Sequence, residues 1–149
     1  MSEVDMSYDE MNELLKNELS AIETYRQALE KKDTDPEHVT AINELSAILD
    51  DHQRAASRIE AAIRQKGGEP AHGAGAWGTW SKIVMGTAQL FGDKAALKAL
   101  KEGEESGVEE YETVLGDRGI PQDQKTLISD LVATQRMHVQ TLDGLISRV

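Results

Sequence analysis

The chain has 149 residues, with 16 Lys and Arg against 27 Asp and Glu, no Cys and 4% aromatic residues. A net charge of −11 argues against nucleic acid as a partner, because binding there depends on cations that neutralise phosphate. The absence of Cys excludes disulfide scaffolds, thiolate zinc sites, iron–sulfur clusters and cysteine nucleophiles.

About 150 residues suffice for one domain with a buried core, and a single domain over residues 1–149 is expected. Met1-Ser2-Glu3-Val4-Asp5 lacks the basic and apolar regions of a signal peptide. No apolar run approaches the ~20 residues that cross a bilayer. The expectation is a cytoplasmic protein without a membrane partner.

In chain order, Met11, Leu14, Leu15, Ile22, Tyr25 and Leu29 recur at helical spacing and form one stripe. Ser7-Tyr8-Asp9-Glu10 reads as a capping box, and Lys31-Lys32 place cations at the negative end of the helix dipole. Asp35-Pro36 has the form of an N-cap with proline at the first helical position. A second helix follows with Ile42, Leu45, Ile48, Leu49, Ala55, Ala56, Ile59 and Ile63 inward, ending before Gly67-Gly68. Residues 67–75 read as loop and residues 76–90 as a short, partly buried helix containing Trp77 and Trp80. Asp93 is expected to cap a third long helix with Leu97, Leu100, Val108, Tyr111, Val114 and Leu115 inside. Pro121 opens a fourth, carrying Leu127, Ile128, Leu131, Leu142, Leu145 and Ile146. Strand alternation is missing throughout. The predicted fold is all-α, a four-helix bundle of two helical hairpins (about 7–66 and 93–147) joined by a long, partly helical crossover over 67–92.

The two hairpins resemble each other. Glu18, Ile22-to-Val108 and Tyr25 match positions 86 residues later, so that Glu18 pairs with Glu104 and Tyr25 with Tyr111; the same ungapped register pairs Leu14 with Leu100, Leu45 with Leu131, and His52 with His138. This reads as an internal repeat with approximate two-fold symmetry. Residues three, four and seven apart share a helix face, so Glu18, His52, Glu104 and His138 each fall on an apolar stripe and point at the bundle axis. A lone inward Glu or His is most often a hydrogen-bonded core residue. Two of each at one level are better served by a divalent cation, since carboxylate oxygen and imidazole nitrogen suit Fe, Mn or Zn. Tyr25 and Tyr111 lie one helical repeat beyond each Glu, where their hydroxyls can support a carboxylate across the bundle.

At these residues the sequence resembles the ferritin-like superfamily. Glu18-Leu19-Ser20-Ala21-Ile22-x-x-Tyr25 is similar to the first-helix signature of bacterioferritins and rubrerythrins, and Gly103-Glu104 with Tyr111 resembles the third-helix motif of rubrerythrin-type proteins. From Ser7 to Ile146 the chain looks most like a bacterial branch of that superfamily carrying only a domain-of-unknown-function label. The resemblance implies a ferritin-like fold and a metal site, Fe ahead of Mn or Zn, with ligands Glu18, His52, Glu104 and His138. Oxygen-activating members carry Glu three residues before each such His. Here those positions are Leu49 and Gln135. Gln135 is then a supporting residue, and Asp50 and Asp51, adjacent to His52, are expected to face elsewhere. Two carboxylates balance one divalent ion, so a mononuclear or weakened dinuclear site is expected. Redox or oxygen-linked activity is weakened accordingly.

The other acids of the run Glu102 to Glu112 read as a mostly solvated face, and the repeated Glu23 and Glu109 as facing solvent or a neighbouring helix. His38 and His72 read as exposed. Gly73-Ala74-Gly75 lacks the lysine and hydroxyl residues of a phosphate loop. Trp77 and Trp80, with Ile83, Val84 and Phe91, are expected to close one side of the bundle, a homodimer contact being the alternative. The competing functional reading is a metal-free bundle that acts through assembly or partner binding.

Overall fold

The computed structural model describes residues 3–73 and 77–148, with side chains from Tyr8 onward. Four long helices, α1 (Glu3–Glu30), α2 (Val39–Gln65), α4 (Ala95–Leu115) and α5 (Gln122–Arg148), form the bundle, and a short α3 (Gly78–Gly86) lies in the crossover. No strand occurs among the described residues. The helices α1 with α2, and α4 with α5, form the two hairpins. Across them α1 packs on α4 and α2 on α5, while α3 lies against α1 and α4. Both cross-hairpin pairs are antiparallel. Tyr25 meets Glu104 while Glu18 meets Tyr111, and Lys66 meets Asp123 while Arg148 meets Glu44.

The helix ends follow local chemistry, with some departures from expectation. Asp35 caps as expected, its carboxylate accepting from Glu37 N–H, but it opens a single 3-10 turn (Pro36–His38) before α2 begins at Val39. At the other end of α2, Gly67 takes φ +82°, Gly68 N–H donates to Ile63 and Gly67 N–H to Arg64. That left-handed turn closes the orphan carbonyls and favours glycine. The capping box at Ser7 is overturned: α1 is already helical from Glu3, so Ser7 lies within it. Lys31 lies just beyond α1, and its ammonium donates to the carbonyls of Met85 and Thr87, at the end of α3. Asp93 does accept from Ala95 N–H, across Lys94, which takes φ +67°. The crossover helix is shorter than expected: residues 87–94 leave the helical path, and the expected start at Ala76 lies outside the described residues.

The buried apolar side chains fall into two clusters. One gathers Tyr25, Leu45, Trp77, Leu97, Leu100 and Leu142; the other gathers Met11, Leu15, Ile59, Tyr111, Val114 and Ile128. On every long helix one buried ionisable residue separates them: Glu18 between Leu15 and Ala21, His52 between Ile48 and Ala55, Glu104 between Leu100 and Tyr111, and His138 between Leu131 and Leu142. The 3.6-residue period therefore stacks apolar, polar and apolar layers along the bundle.

Trp77 closes one flank of the bundle, as expected. It is fully buried, its indole lies over Gly103, its Nε1–H donates to Asn17 at 2.8 Å and its backbone N–H to Ser20 at 3.0 Å. Val84 and Phe91 are buried with it, whereas Ile83 is exposed. His38, expected to be exposed, is half-buried instead, packing on Phe91 and pairing with Asp33. His72 is exposed.

Candidate metal centre

Each long helix delivers one ionisable side chain to the polar layer, and all four are buried: Glu18 from α1, His52 from α2, Glu104 from α4 and His138 from α5. His52 lies between the two acids, its Nδ1 2.5 Å from Glu18 Oε2 and its Nε2 2.5 Å from Glu104 Oε1. The His138 ring centroid is 4.9 Å from that of His52, and His138 Nδ1 is 3.4 Å from Glu104 Oε1. The tyrosines act reciprocally. Tyr25 on α1 donates to Glu104 on α4 at 2.8 Å, and Tyr111 on α4 donates to Glu18 on α1.

The electrostatics follow from burial opposed by close pairing. Burial disfavours charge on His52, but Glu104 and Glu18 on its two nitrogens outweigh burial and hold its pKa well above the ordinary range. Burial likewise pushes Glu104 up, and His52, with His138, overrides it and holds that carboxyl at about 2. Both phenols are pushed well above their usual range, by burial first and then by the neighbouring acid, Glu104 for Tyr25 and Glu18 for Tyr111. The phenols therefore remain donors at neutral pH.

His52, Glu104 and His138 offer ligand atoms that lie within 4.8 Å of one another. Glu18 stands outside that group, on the far side of the His52 ring. The donor set suits a divalent ion chemically, as two imidazoles and a carboxylate. A further observation fits. Glu104 Oε2 and His138 Nδ1 are buried without a hydrogen-bond partner, a state that costs free energy unless something else satisfies them. Gln135 is buried beside the cluster, its amide nitrogen 3.4 Å from the Glu104 carbonyl, over Gly107, where a Cβ would come within 2.1 Å of that nitrogen. Leu49, in the matching place on α2, is half-buried and brings no polar group.

One residue set aside on the sequence reaches the cluster. Asp51 Oδ2 is 2.9 Å from His138 Nε2. One residue before His52 is about 100° round the helix, which turns Asp51 from the bundle axis into the seam between α2 and α5, where His138 meets it. Only the antiparallel pairing of α2 with α5 brings the two together. Buried Asn17 and Ser20, which hold Trp77, carry no sequence signal of that role, since their partner lies 57 to 60 residues away. The acids Glu23, Glu102, Glu105, Glu109 and Glu112 are exposed, and Glu110 is half-buried.

The family model of the domain of unknown function DUF2383 matches residues 6–117. The chain belongs to the DUF2383 family. The matched span covers α1 to α4 and ends before α5, which carries Gln135 and His138. This DUF2383 chain is also similar to a crystal structure of ferritin-like, diiron-carboxylate proteins from Bacillus anthracis str. Ames, with a TM-score of 0.74 over 98% of this chain and 99% of the other. At 20% identity the likeness is one of fold: the DUF2383 chain has a ferritin-like fold. No curated protein matches the sequence. Among the described residues, no helix is long and apolar enough to cross a membrane.

Proposed function

We propose that this protein binds one divalent metal ion in the polar layer of its bundle, iron ahead of manganese or zinc, through the set Glu18, His52, Glu104 and His138. Within that set His52, Glu104 and His138 would contact the ion, and Glu18 would hold His52 by its Nδ1. The observation that carries the reading is the pair of buried atoms without a hydrogen bond, Glu104 Oε2 and His138 Nδ1, on residues whose ligand atoms lie within 4.8 Å of one another. The ferritin-like fold supports it, since bundle cores of this kind host carboxylate–imidazole metal sites. Iron is favoured because the structurally similar Bacillus anthracis proteins are described as diiron-carboxylate.

A bound iron or manganese ion supplies one-electron redox chemistry, and zinc supplies Lewis acidity. The chain's own residues fix the surroundings. Tyr25 and Tyr111 orient the two acids, the apolar clusters close the layer above and below, and Trp77 closes one flank. With Leu49 and Gln135 where dinuclear sites carry Glu, the two buried carboxylates, Glu104 on the ion and Glu18 behind His52, balance one divalent ion, so any oxygen-linked turnover is weak.

Metal analysis of protein purified without added metal tests the reading, on wild type and on Glu104→Ala/His138→Ala. Wild type should carry close to one ion per chain and the double variant none. Added Fe, Mn or Zn at a hundredfold excess over the dissociation constant should stabilise wild type by about 2.7 kcal/mol. A wild type that carries no ion, and whose melting temperature ignores added metal, leaves the metal-free bundle acting through assembly.

A further inference from the structure

A histidine that ligates metal through one nitrogen needs the other held, because that second contact fixes tautomer and ring orientation. For His52 the holder is Glu18, which meets Nδ1 at 2.5 Å and leaves Nε2 toward Glu104. By the repeat, Glu104 should serve His138 in the same way. It faces the same nitrogen, Nδ1, but at 3.4 Å, without the close hydrogen bond that Glu18 makes. With Nδ1 turned toward Glu104 and the ion, the nitrogen left to be held is Nε2.

Asp51 occupies that position, with Oδ2 2.9 Å from His138 Nε2. Its other oxygen is paired with Arg54, one turn along α2, which fixes the carboxylate from behind. The seam there is not closed. A cavity of about 130 Å³ is lined by the exposed Arg54 and Arg58 and by the buried His52, Gln135 and His138, and so joins the surface to the polar layer. Asp51 lines it too, with its side chain 31% exposed. Without Asp51, His138 Nε2 would face this space, which has room for a few waters, and either ring nitrogen could turn inward.

We infer that Asp51 is the positioning residue for His138. It accepts the Nε2 proton and so presents the Nδ1 lone pair to the ion beside Glu104. This rests on the metal reading above, and it assigns a role to a side chain outside the matched pairs: the counterpart of Asp51 in the second hairpin is Met137, which is 65% exposed. Outer partners of this kind change metal affinity by roughly 10–100-fold when removed.

Cobalt(II) titration, followed by its visible absorption, is the test on wild type, Asp51→Ala, Asp51→Asn, Asp50→Ala and His138→Ala. Asp51→Ala should raise the dissociation constant roughly 10–100-fold. Asp51→Asn should restore part of the loss, because its amide oxygen still accepts from Nε2. Asp50, the exposed neighbour, should leave affinity unchanged when replaced. A second readout needs no metal: 15N imidazole NMR at a pH where His138 is neutral should show the Nε2–H tautomer in wild type and a mixture in Asp51→Ala, with circular dichroism reporting the fold. Wild-type affinity and an unchanged tautomer in Asp51→Ala overturn the inference and leave the metal reading intact. Absence of cobalt binding in wild type, or binding that survives in His138→Ala, overturns the metal reading and this inference with it.

Discussion

Gly103 is the position where backbone packing beside the site can be tested most sharply. A Cβ there would lie 2.6 Å from Trp77 Cζ3 and 2.7 Å from Cε3 and Cη2, whereas carbon atoms pack at about 3.5–4.0 Å. The ring would have to move by roughly 1 Å to restore that spacing. It has little freedom to do so, because Trp77 is fully buried and is tied to Asn17 and Ser20. Overpacking costs about 1–3 kcal/mol, and one Cβ pressed against three atoms of a rigid indole places Gly103→Ala near the upper end. Helix propensity returns about 1 kcal/mol. The net expectation is a loss of about 2 kcal/mol, or roughly 4–8 °C in melting temperature for a chain of this length. Gly144→Ala is the matched control. It is also inside a helix, but nothing lies within 4 Å of its Cβ, so propensity alone acts and stability should rise by up to ~1 kcal/mol. Urea and thermal unfolding of both variants read the difference. A Gly103→Ala protein as stable as wild type would refute the claim that the indole is seated on bare backbone.

The reciprocal tyrosines give a second prediction: Tyr25→Phe and Tyr111→Phe each remove a hydrogen bond to a buried acid and should each lower stability in metal-free protein by about 1.5–3 kcal/mol. Because Glu104 and Glu18 are joined through His52, the double variant should depart from additivity in urea unfolding, and strict additivity would contradict that coupling. A third concerns pH. Burial first, and then the Asp117 carboxylate, raise the Glu10 pKa to about 7. The folded chain thus holds a proton between about 4.5 and 7 that the unfolded chain releases, so this pair lowers stability as pH rises through that window. Glu10→Gln, which imitates the protonated form, should match wild type at pH 4 and exceed it at pH 8 by urea midpoint; a constant difference across that range would count against it.

Much of the polar layer was legible because a helix repeats every 3.6 residues. The spacing around Glu18, His52, Glu104 and His138 puts them on apolar stripes, and the structure buries all four in one layer. The bundle of four long helices was legible for the same reason. Asp51 was not, since periodicity within α2 says only that it leaves the axis, and its partner belongs to α5. The start of α1 was missed because a capping motif inside a longer helix looks the same as one at its end. The crossover aromatics could be assigned to the bundle, but the seat of Trp77 depends on Gly103 and Asn17, which meet it only once α1, α3 and α4 are assembled. The matched register did not foretell the unequal use of the two histidines: His52 meets both acids, whereas His138 meets Glu104 and Asp51.

Crystals grown with manganese or iron and measured at that metal's absorption edge would locate the ion directly. The account predicts one anomalous peak per chain, within coordination distance of His52 Nε2, His138 Nδ1 and a Glu104 oxygen. Crystals saturated with metal that show no peak in the polar layer, or density only at surface acids, would contradict it.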